Sequence, residues 1–124
     1  MLGVALVAIG GALGALTRHY GASRLADWTN SGAVGLFIVN ITGAFLIGLF
    51  LTLSEERFGW APESRLLVSA GFLGAYTTFS TLAWQTMQFA EAGEVATATL
   101  NMMGTVAVGM AAVYAGATVA RIGG

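Results

Sequence analysis

The sequence contains no cysteine and no lysine, and it has only one histidine and one proline. Without cysteine there are no disulfides, thiolate metal sites or cysteine nucleophiles. The single histidine, His19, has no second imidazole with which to form a metal cluster. Charged residues make up 9% of the chain, five arginines against six acids, which is neither a basic surface nor an acidic tail. We therefore expect no nucleic-acid partner.

Sequence patterns of catalysis are missing as well. The chain has no nucleophile elbow, no phosphate-binding loop and no zinc-binding helix. No Asp or Glu falls inside its long apolar runs, where a carboxylate would be needed to relay protons. We predict that the protein is not an enzyme, and that passive permeation ranks above catalysis.

Apolar residues make up 56% of the 124 residues and are spread along the whole chain. A helix of about 20 apolar residues is long enough to cross the hydrocarbon core of a bilayer. The sequence therefore predicts an all-α, multi-pass protein of the cell membrane, in contact with the lipid bilayer and with one transmembrane domain over residues 1–124. The four predicted spans cover about 1–20, 33–53, 66–89 and 95–119.

Nearly all charged residues lie in the three predicted linkers: Arg24 and Asp27; then Glu55, Glu56, Arg57 and Glu63; then Glu91 and Glu94. Arginines near span ends decide which side of a membrane protein stays cytoplasmic. One side carries three of them (Arg57, Arg65 and Arg121), and the other carries two (Arg18 and Arg24). This near-even split predicts insertion in both orientations, so that opposite copies pair antiparallel.

Glycine is unusually frequent, with 18 residues, and recurs at close spacing within the spans. Small residues let membrane helices approach closely, so close packing of the helices is the first interpretation. Four helices packed in this way enclose little volume. A conducting pathway is therefore expected between two subunits. The glycines concerned are Gly10, Gly11, Gly14, Gly43, Gly48, Gly104, Gly109 and Gly116.

The third span contains one segment, residues 71–81 (GFLGAYTTFST), that does not read as an uninterrupted helix. Its two glycines and its Thr/Ser cluster favour a break in the middle of the membrane. The freed carbonyls would suit a hard cation, and the freed amides and hydroxyls would suit an anion. Alternatively, the hydroxyls bond to preceding carbonyls or join helices.

Three polar residues inside other spans are candidates for the same pathway. Asn40 lies in the middle of the second span, where an unpartnered amide is costly. Asn101 and Thr105 are four residues apart and therefore share one face of the fourth span. Hydrogen bonding between helices is the alternative role for all three. Arg18, at the end of the first span, either extends to the interface or attracts anions to a vestibule.

Three blocks of the sequence resemble the Fluc or CrcB family, small four-helix fluoride channels that export fluoride and protect microbes from it. The blocks are residues 10–20 (GGALGALTRHY), 39–45 (VNITGAF) and 71–81 (GFLGAYTTFST), and the third is the most specific. The resemblance covers nearly the whole chain. It implies a fluoride-selective channel built as an antiparallel homodimer, with two narrow pores along the dimer interface.

The resemblance also implies individual roles. It places a structural sodium ion (Na⁺) on the two-fold axis, held by the backbone carbonyls of Gly74 and Thr77 from both subunits. It places Arg18 at the vestibule, and it assigns six residues to the fluoride pore: Asn40, Phe79, Ser80, Thr81, Asn101 and Thr105. Hydroxyl and amide donors and the positive edges of aromatic rings suit a small, strongly hydrated anion.

Two positions depart from the family pattern. Leu82 stands where a second Phe is common, which removes one aromatic edge, and Gln85 stands where a Glu is common, which removes an ionisable group. Two rival functions remain open at this point. A small multidrug exporter would need a carboxylate within its first span, and residues 1–20 contain none. A non-transporting subunit of a membrane complex would conduct nothing.

Overall fold

The computed structural model describes residues 1–59 and 61–122, with only the backbone described for Arg57 and Phe58. Within these residues the chain forms helices joined by short turns and contains no strands. The helices, in chain order, are α1 (Leu2–Thr29), α2 (Gly32–Thr52), α3 (Pro62–Arg65), α4 (Gly74–Tyr76), α5 (Phe79–Glu91) and α6 (Val95–Ile122). Wider, π-helical turns extend α2 through Leu53–Phe58 and join α3 to α4 through Leu66–Leu73.

Local sequence explains the turns between these helices. α1 ends at Asn30, whose left-handed backbone (φ 55°) is one that asparagine tolerates better than most residues. The hydroxyl oxygen of Ser31 then accepts a hydrogen bond from the Val34 N–H at 3.2 Å and caps α2. Gly59 (φ 53°) ends the π-helical extension of α2, and Gly93 (φ 83°) separates α5 from α6.

Four helical stretches of the described chain are long and apolar enough to cross a membrane, as the sequence predicts. They are Leu2–Thr29, Gly32–Glu56, Pro62–Glu91 and Val95–Ile122. The helices extend past the apolar runs, because backbone hydrogen bonding does not stop where hydropathy falls. Arg24 and Asp27, expected in a linker, therefore lie within α1, and Glu55 and Glu56 lie within the extension of α2.

The third stretch is irregular within the segment that the sequence singled out. Thr77 (φ −92°, ψ 153°) and Thr78 (φ −147°, ψ 123°) have extended backbones between α4 and α5. Thr78 is the N-cap of α5, and its side-chain oxygen accepts a hydrogen bond from the Thr81 N–H at 3.4 Å. The helical direction is therefore interrupted for two residues and then restarted.

Glycines bring the helices together in two pairs. Gly10 and Gly14 of α1 lie against the backbone of the third stretch at Leu67 and Phe72, and Gly71 faces Gly10 in return. A Cβ atom at Gly10 or Gly14 would overlap a carbonyl oxygen there. The predicted close packing is thus confirmed for this pair, which buries Gly10, Gly14 and Gly71.

The second pair is α2 with α6, where Gly48 lies against the Val113 carbonyl and Gly116 against the Phe45 carbonyl. Other glycines of the predicted group do not pack in this way. Gly104 has no atom within 4 Å of an added Cβ, and Gly109 has only the Ile41 side chain at 3.8 Å. Glycine spacing alone did not separate the packed positions from the open ones.

Two ion pairs join the helix ends on the side that carries Arg65 and Arg121. Glu55 pairs with Arg65, and Glu56 pairs with Arg121 at 3.0 Å. The end of the second stretch is thereby tied to the start of the third and to the end of the fourth. Such exposed pairs contribute little to stability, since water screens them, but they show that these three ends lie together.

Candidate functional site

The interruption between α4 and α5 leaves the backbone carbonyls of residues 74–77 without their usual helical donors. In a continuous helix the Thr78 N–H would donate to the Gly74 carbonyl, and the Thr81 N–H would donate to the Thr77 carbonyl. Here the Thr78 N–H donates to Asn40 Oδ1 at 3.0 Å, and the Thr81 N–H is directed to Thr78 Oγ1. The carbonyls of Gly74 and Thr77 are therefore available to other partners.

Asn40 approaches the same two residues from α2. Its Nδ2 donates to the Thr78 carbonyl at 3.3 Å, while its Oδ1 accepts from the Thr78 N–H. Both hydrogen bonds cross 38 residues of sequence. The cost of placing an amide in the middle of a membrane span is thus offset by two partners on Thr78, whose N–H has lost its helical acceptor.

A groove of about 380 Å³ runs beside the interruption. Asn40, Thr77, Phe79 and Thr105 line it together with Leu82, so four of the residues singled out from the sequence are brought to one place. The Phe79 side chain is prominent there because Phe79 is 70% exposed. Leu82, one of the two positions that depart from the family pattern expected above, is only 5% exposed and contributes to the core.

The fourth-span residues are less uniform than the sequence suggested. Thr105 is 8% exposed and donates to the Asn101 carbonyl at 2.6 Å, one turn earlier in α6. Asn101 faces a neighbouring groove and donates to Thr86 Oγ1 at 3.3 Å, which joins α6 to α5. For Asn101, the hydrogen bonding between helices that the sequence left open is therefore present in the structure.

Arg18 and Thr81 lie together in a separate pocket of about 260 Å³, which His19 and Gln85 also line. Two polar atoms in this pocket, Arg18 Nε and Gln85 Oε1, are buried and have no hydrogen-bond partner. Among the described side chains, Arg18 also takes part in no ion pair. The pocket thus carries an uncompensated positive charge beside a neutral amide. Ser80 is exposed and lies beside Thr78, with the two hydroxyl oxygens 3.4 Å apart.

Sequence reasoning did not single out Thr78, although it is the residue on which the local geometry depends. Its hydroxyl caps α5, and its backbone bonds to Asn40. Threonine is a favoured N-cap residue, which was the available signal, but Thr81 stands where the Glu or Gln of a capping box would have marked the helix start. Tyr76 was also missed. Its hydroxyl is 2.9 Å from Thr42 Oγ1, and its ring stacks on Phe72.

The described residues contain no group of three or more His, Cys, Asp or Glu side chains that could hold a metal ion. A cation at this site would have to be held by backbone carbonyls or hydroxyls. The carbonyls of Gly74 and Thr77 are among the oxygens that the interruption frees, and oxygen ligands suit a hard cation. The assignment of individual residues to an ion or to a pore stays a prediction.

Comparison with known proteins identifies the family. A family model described as "CrcB-like protein, Camphor Resistance (CrcB)" matches residues 5–117. Proteins named fluoride-specific ion channel FluC are similar over most of this chain. That of Acidobacterium capsulatum is 41% identical over 114 residues, 91% of each protein. That of Solibacter usitatus is 38% identical over 117 residues, 94% of this chain and 96% of the relative.

A third relative of the same name, from Methylococcus capsulatus, is 40% identical over 116 residues. The match covers 93% of this chain but only 51% of that protein, so the chain spans about half of its length. The resemblance that the three sequence blocks indicate is confirmed by these matches. This chain, with four helices able to cross a bilayer, is a multi-pass membrane protein that belongs to the CrcB-like family.

Proposed function

We propose that this protein is a fluoride-selective channel that exports fluoride passively across the membrane. Its relatives are named fluoride-specific ion channels and not enzymes, which supports the substrate and the absence of catalysis. The observation that supports a fluoride pathway at this position is the groove beside the interruption, where the Asn40 amide, the Phe79 ring and the Thr105 hydroxyl come together. The Asn40 amide and the Phe79 ring edge offer groups with positive character to an anion that is losing its water, whereas the Thr105 hydroxyl already donates to the Asn101 carbonyl.

A pathway completed by a second copy fits the exposure of these residues. Gly74, Phe79 and Ser80 are exposed on the single chain, although they flank backbone groups freed in the middle of a membrane-spanning stretch. At membrane depth such groups persist only where protein covers them or where they line a polar cavity. An antiparallel homodimer with a pore along each side of its interface satisfies this requirement, and the near-even arginine distribution supports both orientations.

A sodium ion at the centre of that dimer is the second part of the proposal. The residues present fit such an ion, because the carbonyls of Gly74 and Thr77 lack the helical donors that would otherwise occupy them. Two copies would supply four such oxygens. The ion would add a fixed positive charge near the anion pathway, and the interruption supplies the oxygens without any carboxylate.

Efflux from proteoliposomes tests the proposed function directly. Liposomes containing the purified protein and loaded with fluoride or chloride are diluted into an impermeant salt, and release is followed with ion-selective electrodes. We expect fast fluoride release and chloride release at the rate of protein-free liposomes, since the pathway replaces fluoride's water with a few donors. Equal rates for the two anions would contradict selectivity. No release of either would favour a non-transporting subunit.

The pocket around Arg18 leads to a prediction about Gln85. In Gln85→Glu the new carboxylate can pair with the partnerless Nε of Arg18 and cancel the positive charge that attracts anions. We expect about threefold lower fluoride flux at low ionic strength, with a smaller difference at high salt, where charges are screened. Gln88→Glu, an exposed position three residues further along α5, adds the same charge as a control. A salt-independent loss would contradict the electrostatic role.

A further inference from the structure

The pairing between Asn40 and Thr78 involves every backbone polar group of one residue. Asn40 Oδ1 accepts from the Thr78 N–H at 3.0 Å, and Asn40 Nδ2 donates to the Thr78 carbonyl at 3.3 Å. A primary amide presents one acceptor and one donor side by side, as a neighbouring strand does in a sheet. The Asn40 amide therefore forms with Thr78 the same pair of hydrogen bonds that a residue of a neighbouring β-strand would form.

This pairing depends on the backbone conformation of Thr78. In an extended residue the N–H and the C=O point to the same side, where one partner can bond to both. In a helical residue they point to opposite ends of the helix axis, and one side-chain amide cannot reach both. Thr78, with φ −147° and ψ 123°, is extended. The amide of Asn40 therefore stabilises the interrupted conformation and not a continuous helix.

Two consequences follow for the groups around the interruption. The Thr78 N–H is occupied by Asn40, so it cannot bond to the Gly74 carbonyl, which remains free. Thr78 is also the N-cap of α5, so fixing its backbone fixes where α5 begins. We propose that Asn40 is a positioning residue that holds the backbone of Thr78 extended. It thereby keeps the Gly74 carbonyl free and fixes the start of α5 at Phe79.

The packing of α2 supports this role. Gly43, one turn after Asn40, lies directly against the side chains of Thr77 and Tyr76, where an added Cβ would overlap them. The short Asn40 side chain needs this approach in order to reach the backbone of Thr78. Asn40 also keeps a second N–H, since only one is used by the Thr78 carbonyl. The amide can thus hold the backbone and still present a donor to the groove.

The sequence offers a selective way to observe Thr78. Thr77 and Thr78 are the only adjacent threonines in the chain. In protein labelled with ¹³C,¹⁵N-threonine, their peptide bond is therefore the only one with both atoms labelled. Solid-state NMR in liposomes can select this bond and read the carbon shifts of Thr78. We expect extended-type shifts in the unaltered protein. In Asn40→Leu we expect a change toward helical values, together with at least about tenfold lower fluoride flux.

Asn101→Leu is the matched control, because Asn101 bonds to the Thr86 side chain and to no part of the interruption. It is expected to leave the Thr78 shifts unchanged. If Asn40→Leu does not fold, Asn40→Ala removes the same two hydrogen bonds with a smaller side chain. Its Thr78 shifts are also expected to move toward helical values, and unchanged shifts in this variant overturn the proposal.

The NMR shifts of Thr78 test the positioning role by themselves, whereas the fluoride flux rests on the proposed function. The two measurements can therefore fail separately. Changed Thr78 shifts with reduced flux support the positioning role. Reduced flux with unchanged Thr78 shifts overturns it and means that Asn40 acts on the ion directly. Changed shifts in a protein that never conducts fluoride support the positioning role and contradict the proposed function instead. Unchanged shifts with unchanged flux also overturn the inference.

Discussion

Gly14→Ala and Gly116→Ala are each expected to lower the free energy of unfolding by about 3 kcal/mol, the upper part of the range for overpacked sites. At Gly14 an added Cβ would overlap the carbonyl oxygen of Phe72, and at Gly116 it would overlap that of Phe45. In both cases the obstacle is backbone, which cannot change rotamer to make room. The two helices would have to move apart along their contact and lose dispersion contacts.

Reversible unfolding in detergent or bicelles measures this effect, and the same helices supply the controls. Gly21→Ala in α1 and Gly104→Ala in α6 place the new methyl group where no atom lies within 4 Å. These controls are expected to be neutral or slightly stabilising, because alanine is a better helix former than glycine. A loss of stability at Gly21 or Gly104 as large as at Gly14 or Gly116 would mean that steric overlap is not the cause.

Phe79→Ile is expected to reduce fluoride flux by about a hundredfold while leaving the fold intact. A dehydrated anion that loses one of its interaction partners in the pore is destabilised by roughly 1.5–3 kcal/mol. A rise of about 2.7 kcal/mol in the barrier corresponds to a hundredfold lower rate. Isoleucine offers no positive ring edge to replace the one that phenylalanine provides. Phe79 is 70% exposed on the chain, so its ring contributes little to packing within the subunit.

Proteoliposome efflux at matched protein density measures the change, and unfolding of the same preparation checks the fold. Trp84→Ile is the control, because Trp84 is an exposed aromatic of the same helix, α5, and does not line the groove. Its fluoride flux is expected to equal that of the unaltered protein. Normal flux in Phe79→Ile would remove the ring from the pathway, and an equal loss in Trp84→Ile would point to a general effect on α5.

Much of this protein could be predicted from local properties of its sequence. Four apolar runs of bilayer length predict four membrane-crossing helices, because lipid leaves unpaired backbone few alternatives. The two glycines and the hydroxyl cluster of residues 71–81 indicated where the third stretch is irregular, and the extended residues Thr77 and Thr78 lie there. The same segment carried the family resemblance that the comparisons confirm.

Hydrogen-bond partners distant in the sequence were decided by the tertiary structure alone. Asn40 was marked only as an amide in need of a partner, and Thr78 was not singled out, yet the two meet across 38 residues. Which glycines are in close contact was also open, since Gly104 and Gly116 look alike in the sequence and only Gly116 faces a carbonyl. Hydropathy and composition are properties of a segment, whereas these contacts depend on how helices pack. Sequence therefore determined what crosses the membrane, and packing decided which polar groups meet there.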